Sequence, residues 1–363
     1  MRVGMAVSSN KFTGAAAVAE HWCRALHAAG HEARLLFVAG ANLERRLHGS
    51  SWGLPHLHKE RGFADVRANL RALRQLAETS DVVMTFLPHD HFEAVMAGVH
   101  RRVSLVRAFR NPFHLRKDPL HQWLARRCVG ALAPFESLSA RTEGLIGGRP
   151  IMSIPVPVED RFSPGPAPRE ARDRLGLDPE TPVIGMIGKL ALGRGFETLL
   201  DAAARTRSRC WVLAVGHGEL QPSLERHAHD LGINDRITWA GKREDDLPLL
   251  LGAMDAVVFP APGSDWGHRV ISETHACGRP VIASPIAGVE DLVQHERTGL
   301  IAKDPEGIAR AFDRLIDEPD FARRLGDGAS KAAADRRFSV TGSRLATFLE
   351  GFSPVDRSLR WRH

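Results

Sequence analysis

The residues best suited to chemistry lie between Asp265 and Glu273, in the run GSDWGHRVISETHACGRPVIAS that follows the apolar segment DAVVFPAPG. A helix opening near Gly267 presents the free amides of Gly267, His268, Arg269 and Val270 at its positive end, where a diphosphate binds favourably. The missing side chain at Gly267 permits close approach. A carboxylate beside a diphosphate is repelled unless it points at hydroxyls. Asp265, just before the turn, and Glu273, about two turns later, are therefore expected to accept hydrogen bonds from sugars, one of them a ribose. The plainer alternative is a capped helix carrying an exposed glutamate.

Two further sets have the right types and spacing. Lys189 and Arg194 flank glycines in GMIGKLALGRGFETLLDA, a strand-exit loop whose cations suit phosphate oxygens. His89 and His91 flank Asp90 in DVVMTFLPHDHFEA, at the end of an apolar run, where a histidine can position a polar ligand. A metal centre on His89, Asp90 and His91 is disfavoured, because alternating neighbours rarely converge on one ion and no further ligand motif is visible.

These groups need rigid elements to hold them. Strand-like apolar runs alternate with helix-period segments along the chain, the pattern of parallel sheets covered by helices on both faces. Val3 to Val7, Ala33 to Val38 and Asp81 to Phe86 read as strands, the last running into a loop from Leu87 to His91. Gly14 precedes a helix reaching about Ala29. The proline-rich stretch PVPVEDRFSPGPAPRE marks a linker. Beyond it, Val183 to Ile187, Trp211 to Val215, Ile237 to Trp239, Ala256 to Phe259 and Pro280 to Ala283 read as strands, with a helix from about Phe196. Each half then forms a doubly wound α/β unit, in which ligands bind beyond the carboxyl ends of the strands. The predicted domains are residues 1–160 and 161–340, with a C-terminal helix in 341–363 packing back towards the first.

The same residues carry a resemblance. D-W-G-H-R-V-I-S-E-T-H-A-C-G-R-P-V resembles the E-x7-E signature of glycosyltransferase family 4, with Asp265 in place of the first glutamate. GMIGKLALGRG resembles the family's G-R-L-x-x-x-K-G loop, Lys189 standing for its arginine and Arg194 for its lysine. VGHGEL, ITWAGKRED and MDAVVFPAP resemble its G-x-G, F-x-G and aD-v-x-x-P-S segments. SPIAGVEDLVQHERTGLI resembles its G-G-x-x-E element, with Ala287 for one glycine, and SIPVPVEDRFSP its interdomain junction. The amino half matches less closely. Thr13-Gly14-Ala15 stands for a Gly-Gly loop, and His89 takes the place of the active-site histidine, with His91 a competing alignment.

The resemblance implies a GT-B fold, two Rossmann-like domains facing a central cleft that closes about the Pro155 to Pro168 linker. It implies a retaining enzyme that moves a hexosyl group from a nucleotide diphosphate sugar, with UDP or GDP as carrier, to a hydroxyl of a saccharide, lipid-linked or small-molecule acceptor. Donor contacts would come from Gly14, Gly188, Lys189, Arg194, Gly216, Gly241, Lys242, Arg243, Asp265, Gly267, His268, Arg269, Val270 and Glu273. Among these Lys189 and Arg194 would bind the diphosphate, Glu273 the ribose and Asp265 the donor sugar, while His89 positions that sugar. No cofactor and no metal is expected. Two alternatives share the architecture: a nucleotide-sugar-binding subunit without catalysis, suggested by Asp265, Ala15 and Ala287, and a nucleotide-sugar epimerase.

Composition bounds the rest. At 363 residues, 43% hydrophobic and 25% charged, the chain is long enough for two cores. No apolar run approaches the roughly 20 residues that span a bilayer. The start MRVGMAVSSN reads as a first strand rather than a signal peptide, so a cytoplasmic protein is expected. Cys23, Cys128, Cys210 and Cys277 are dispersed, without a CxxC pair, and are expected to be reduced packing residues. Residues 1–160 carry a net charge of +7 and the remainder −1. Arg101, Arg102, Arg107, Arg110, Arg116, Lys117, Arg126 and Arg127 face only Asp118 in one stretch. Such a stretch suits an anionic membrane or a phosphorylated acceptor, with Arg107 and Arg110 on that side, or it is a solvated helical face. No nucleic-acid module accompanies it, so no nucleic acid is expected as a partner.

Overall fold

Short apolar runs punctuated by glycine become parallel strands, as their spacing predicts. The computed structural model describes residues 1–9, 14–58, 62–109, 118–165, 167–260, 269–286 and 288–352. The chain divides into two units, Met1–Pro157 with the segment from Arg337, and Val158–Arg336.

The first unit is built on β1 (Arg2–Val7), β2 (Glu32–Val38), β3 (Gly53–Leu57), β4 (Val82–Thr85), β5 (Ser104–Ala108), β6 (Gly130–Ala133) and β7 (Ile151–Ser153). They pair in the order β3-β2-β1-β4-β5-β6-β7, all parallel. Its helices are α1 (Ala15–Ala28), α2 (Asn42–Arg46), α3 (Phe63–Glu78), α4 (Pro88–Met96), α5 (Pro119–Ala125) and α6 (Glu136–Glu143). The second unit carries β8 (Val183–Ile187), β9 (Trp211–Val215), β10 (Ile237–Gly241), β11 (Ala256–Phe259), β12 (Val281–Ala283) and β13 (Gly299–Ile301), in the order β10-β9-β8-β11-β12-β13, again parallel. Its helices are α7 (Pro168–Arg174), α8 (Phe196–Arg205), α9 (Gln221–Asp230), α10 (Leu247–Ala253), α11 (Arg269–Ala276), α12 (Pro305–Asp317) and α13 (Pro319–Ala334). A last helix, α14 (Phe338–Glu350), returns to the first unit.

These are the two Rossmann-like halves that the GT-B expectation requires. In both sheets the strand order reverses beside the first strand, between β1 and β4 and between β8 and β11. Open α/β sheets bind ligands outside the carboxyl ends of the strands at that reversal.

Packing fixes the elements that matter. Leu345, Ala346 and Leu349 of α14 join Val3, Trp22 and Phe37 in one core. Only glycine fits at position 342, because a Cβ there would overlap the Ala25 carbonyl oxygen of α1. The proline-rich stretch is not a free tether. Val156 is buried in the first core, whereas Val158 and Phe162 are buried in the second. The chain leaves the first unit after Pro157 and returns after Arg336, and the Val158 amide donates to the Arg336 carbonyl at 2.8 Å. All four cysteines are buried and free. No helix among the described residues is long and apolar enough to cross a membrane.

Two sequence expectations are corrected here. The predicted loop from Leu87 to His91 is the first turn of α4, with Pro88 at its first position. The basic stretch contains a wholly buried strand, β5, and with it Arg107, which is 3% exposed. A strand in the middle of a parallel sheet is covered on both faces, so its side chains cannot form a solvated helical face. Arg107 therefore does not belong to an exposed basic face.

Candidate functional site

In the second unit, the carboxyl ends of β8, β9 and β10 are tied together by main-chain bonds. The Gly188 amide donates to Val215 O at 2.9 Å, Leu190 N to His217 O at 3.1 Å, and Gly216 N to Gly241 O at 2.8 Å. Glycine is what allows these turns to meet. A Cβ on Gly216 would overlap the Gly188 carbonyl oxygen, and one on Gly218 the Leu190 carbonyl oxygen. Three residues of the predicted donor set, Gly188, Gly216 and Gly241, thus share one edge of the sheet.

Lys189 sits in the same turn. Its Nζ lies 2.9 Å from Glu219 Oε2, and both side chains are more than half exposed. The hydrogen bond from Lys189 holds the Glu219 carboxyl below the usual range. An exposed pair of this kind adds little to stability, so a phosphate can compete for Lys189. Arg194 precedes Gly195, which opens α8 at φ 86. A Cβ on Gly195 would stand 2.9 Å from the Pro260 carbonyl oxygen, so this loop is packed against the exit of β11, directly ahead of residues 261–268.

The remaining donor-side residues divide. Lys242 pairs with Glu244 at 2.8 Å, and Arg243 Nε donates to Asp246 at 3.0 Å, so both side chains are engaged within their own loop. Contact through main-chain groups of Gly241 to Arg243 remains open to them. Asp265, Gly267 and His268 lie outside the described residues. Helix α11 runs from Arg269, and Val270 packs on the core beneath it. Glu273 is 3% exposed, with Oε1 3.0 Å from Arg269 Nε. It is therefore not the exposed glutamate of the plainer alternative.

In the first unit the carboxyl ends of β1 and β4 meet at Ser8, His89 and Asp90. Buried Asp90 accepts from the Leu87 amide at 2.9 Å and from the Ser8 amide at 3.0 Å, which fixes the exit of β1 to the start of α4. Burial pushes the Asp90 carboxyl up, against the opposing effects of His89 and the Ser8 hydrogen bond. Ser8 Oγ bonds both His89 Nε2 and Asp90 Oδ1. His89 Nε2 also lies 3.3 Å from the Ser8 carbonyl oxygen and 3.4 Å from Asp90 Oδ1. A carbonyl and a carboxylate can only accept, so Nε2 carries the proton. It donates to Ser8 Oγ, which donates onward to Asp90. Nδ1 has no partner among the described residues, and the ring is 39% exposed, so that atom can meet a ligand hydroxyl.

His91, the competing alignment, has no such freedom. Its Nε2–H donates to Leu124 O at 2.9 Å, and its Nδ1 lies 2.9 Å from the Thr85 hydroxyl. Burial pushes it down to about 3, so it is a neutral structural histidine. Among the described residues no group of three or more His, Cys, Asp or Glu side chains is placed to hold a metal ion. Gly14 opens α1 at φ 54, a conformation that favours glycine. Arg107 donates to Leu87 O, and burial pushes it down to about 10. Arg110 lies outside the described residues.

Two of the site's working residues were not singled out in the sequence, and Asp90 was weighed there only as a metal ligand. Ser8 and Glu219 are single polar residues with no local pattern. Asp90 had a signal, since proline followed two residues later by aspartate marks a helix amino end.

Residues 181–318 match the family model described as glycosyl transferases group 1. The chain is 28% identical over 246 residues to alpha-D-kanosaminyltransferase of Streptomyces kanamyceticus, covering 63% of each chain. It is 33% identical over 212 residues to D-inositol 3-phosphate glycosyltransferase of Frankia alni, covering 54% of this chain and 52% of that one. The matches thus span between half and two thirds of these relatives. Among solved structures, Anabaena Alr3699/HepE in complex with UDP and glucose superposes with a TM-score of 0.81 at 19% identity, covering 97% of this chain and 100% of that one. That likeness is one of fold.

Proposed function

We propose that the chain, whose residues 181–318 match the family described as glycosyl transferases group 1, belongs to that family and transfers a hexosyl group from a nucleotide diphosphate sugar to an acceptor hydroxyl, with retention of anomeric configuration. The observation that supports this reading is the joining of the turns that carry Gly188, Lys189, Gly216 and Gly241 at the carboxyl ends of β8, β9 and β10, on one side of the strand reversal of the second sheet. The relatives named above are glycosyltransferases by name.

In this reading the bond from the sugar C1 to the β-phosphate oxygen breaks as the acceptor oxygen bonds C1 on the same face. The acceptor proton passes to the departing phosphate. Lys189, Arg194 and the amino end of α11 bear the charge that builds there, a preorganised electrostatic role. Those cations make a metal unnecessary, so turnover should be insensitive to chelators. Glu273 would exchange Arg269 for ribose hydroxyls, and Asp265 would hold the donor sugar. His89, fixed by Ser8 and Asp90, would meet a sugar hydroxyl through Nδ1.

A panel of UDP- and GDP-sugars tests the proposal. The true donor should raise the melting temperature by mass action and yield a glycoside of unchanged anomeric configuration by NMR. If no nucleotide sugar shifts the melting temperature and none is consumed, the proposal fails; interconversion of the sugar without any acceptor would make the protein an epimerase instead.

The acceptor side includes peripheral contact with an anionic membrane, and α5 supports this. Leu120 and Trp123 are 54% and 45% exposed on it, beside exposed Arg126, and Arg127 lies over the Trp123 ring at 4.6 Å. An apolar and cationic face of this kind binds acidic headgroups. Vesicles rich in phosphatidylglycerol should co-sediment the protein at low salt, and Leu120→Ala with Trp123→Ala should weaken this several-fold. Equal sedimentation with neutral vesicles would rule it out.

A further inference from the structure

The other face of α5 covers something the donor chemistry does not use. Pro88, His91, Arg107, Phe109, His121 and Leu124 line a half-open pocket of about 30 Å³. Arg107, near the carboxyl end of β5, is its only cation buried within the sheet layer among the described residues. A guanidinium taken out of water is costly unless its donors and charge are satisfied. Among the described residues its hydrogen-bond partner is the Leu87 carbonyl, which can engage one of five N–H donors. No carboxylate forms an ion pair with it among the described residues. Asp90 favours its charge from a distance, but that carboxylate is already committed to Ser8 and to the Leu87 amide. The amino end of α4 is thereby capped, so the attraction of the pocket for an anion rests on Arg107.

The other walls decide what kind of group would enter. His91 is neutral with both nitrogens bonded, and it neither repels nor neutralises an anion. Phe109 lies 5.4 Å from the Arg107 guanidinium carbon and, with Leu124, lowers the local dielectric, which strengthens charge pairing. His121, a quarter exposed, bonds Asp118 through Nδ1 at 2.8 Å, and when protonated it offers a second donor at Nε2. The enclosed part admits only the end of a ligand, the rest of which would lie outside. About 30 Å³ holds a water or two, which is room for the oxygens of one terminal oxyanion and not for a pyranose ring.

We propose that this pocket is a subsite for a terminal phosphoryl or carboxylate group, held by Arg107 with His121, and that the acceptor carries that group. The pocket stands on its own geometry, while its assignment to the acceptor rests on the transferase reading. Arginine's planar fork suits such oxyanions bidentately.

The test uses the full chain labelled with ¹⁵N at arginine, titrated separately with inorganic phosphate, with glucuronate, and with phosphatidylglycerol vesicles. At least one should perturb the Arg107 Nε–H resonance saturably, at concentrations up to about ten millimolar, the weak end of specific recognition. Perturbation by phosphate alone assigns a soluble phosphorylated group, by glucuronate a carboxylate, and by vesicles a lipid headgroup. Arg107→Gln should weaken binding at least about ten-fold and His121→Gln a few-fold, with nucleoside diphosphate binding unchanged in both. Should Arg107→Gln fail to fold, His121→Gln decides, and affinity equal to that of the original chain overturns the proposal. So does a silent Arg107 resonance with all three probes. Donor turnover without oxyanion binding would sink the pocket and spare the transferase reading; oxyanion binding in a protein that binds no nucleotide sugar would do the reverse.

Discussion

Replacing Lys189 and Arg194 together by alanine should lower kcat/KM for nucleotide-sugar turnover by at least about 10³-fold, since a single preorganised donor to a developing oxyanion is worth ~10²–10³. The loss should fall mainly on kcat, because the leaving phosphate gains charge only as the bond to C1 breaks. The fold should survive. Lys189 is exposed and its pair with Glu219 is a surface contact, while the turn that carries it is held by main-chain bonds from Gly188 and Leu190 and by the close approach of Gly216. The Arg194 loop is likewise held by the close approach of Gly195 to Pro260. Thermal unfolding within a few degrees of the original chain, together with lost turnover, is the expected pair of results. Undiminished turnover in the double variant would remove both cations from the chemistry.

The second half of the chain was legible because its strands are apolar runs bounded by glycine, proline or aspartate. Val183–Ile187, Trp211–Val215 and Ala256–Phe259 are strands over the predicted residues. The turns after them were legible as well, because Gly188, Gly216 and Gly241 mark the strand exits, and at Gly216 a Cβ would overlap the Gly188 carbonyl oxygen. The first half hid more. Strand β5 reads Ser-Leu-Val-Arg-Ala in the midst of arginines, and its burial on both faces leaves no alternation to reveal it. Strands β3, β6, β7 and β13 are of three to five residues and carry no period of their own. The start of α4 is not visible from its histidines, because Pro88 and Asp90 are the two residues that make a helix begin there. A lone histidine in a loop is ambiguous, whereas one in the first turn of a helix, donating through a serine to a buried aspartate, has a fixed tautomer.

Two buried histidines should make the protein acid-sensitive well above the carboxylate range. His91 in the first unit and His275 in the second are both pushed by burial from 6.5 down to about 3, helped by Arg107 and Arg336 respectively. An unfolded chain takes up both protons as pH falls through about 6.5, and the folded chain refuses them until about 3. The unfolded state therefore binds more protons across this window, so stability rises with pH there and is lost on acidification. Each histidine contributes a slope of up to about 1.4 kcal/mol per pH unit. Asp90 acts with the opposite sign. Its carboxyl is raised, so the folded state takes its proton first, and its contribution is present at low pH and lost as pH rises through the folded value. One carboxyl offsets only part of what two histidines impose. Between pH 6.5 and 4.5 the net loss should reach about 3 to 5 kcal/mol, a large share of the ~5–15 kcal/mol that holds a typical domain together. For His91 the structural reason is specific, since protonating Nδ1 removes the hydrogen bond it accepts from the Thr85 hydroxyl. Urea unfolding at pH 7, 5.5 and 4.5 reads the slope directly. His275→Gln, neutral at every pH, should flatten the unfolding profile of the second unit while leaving that of the first unchanged. A urea midpoint constant from pH 7 to 5 would mean that neither histidine is buried in its neutral form.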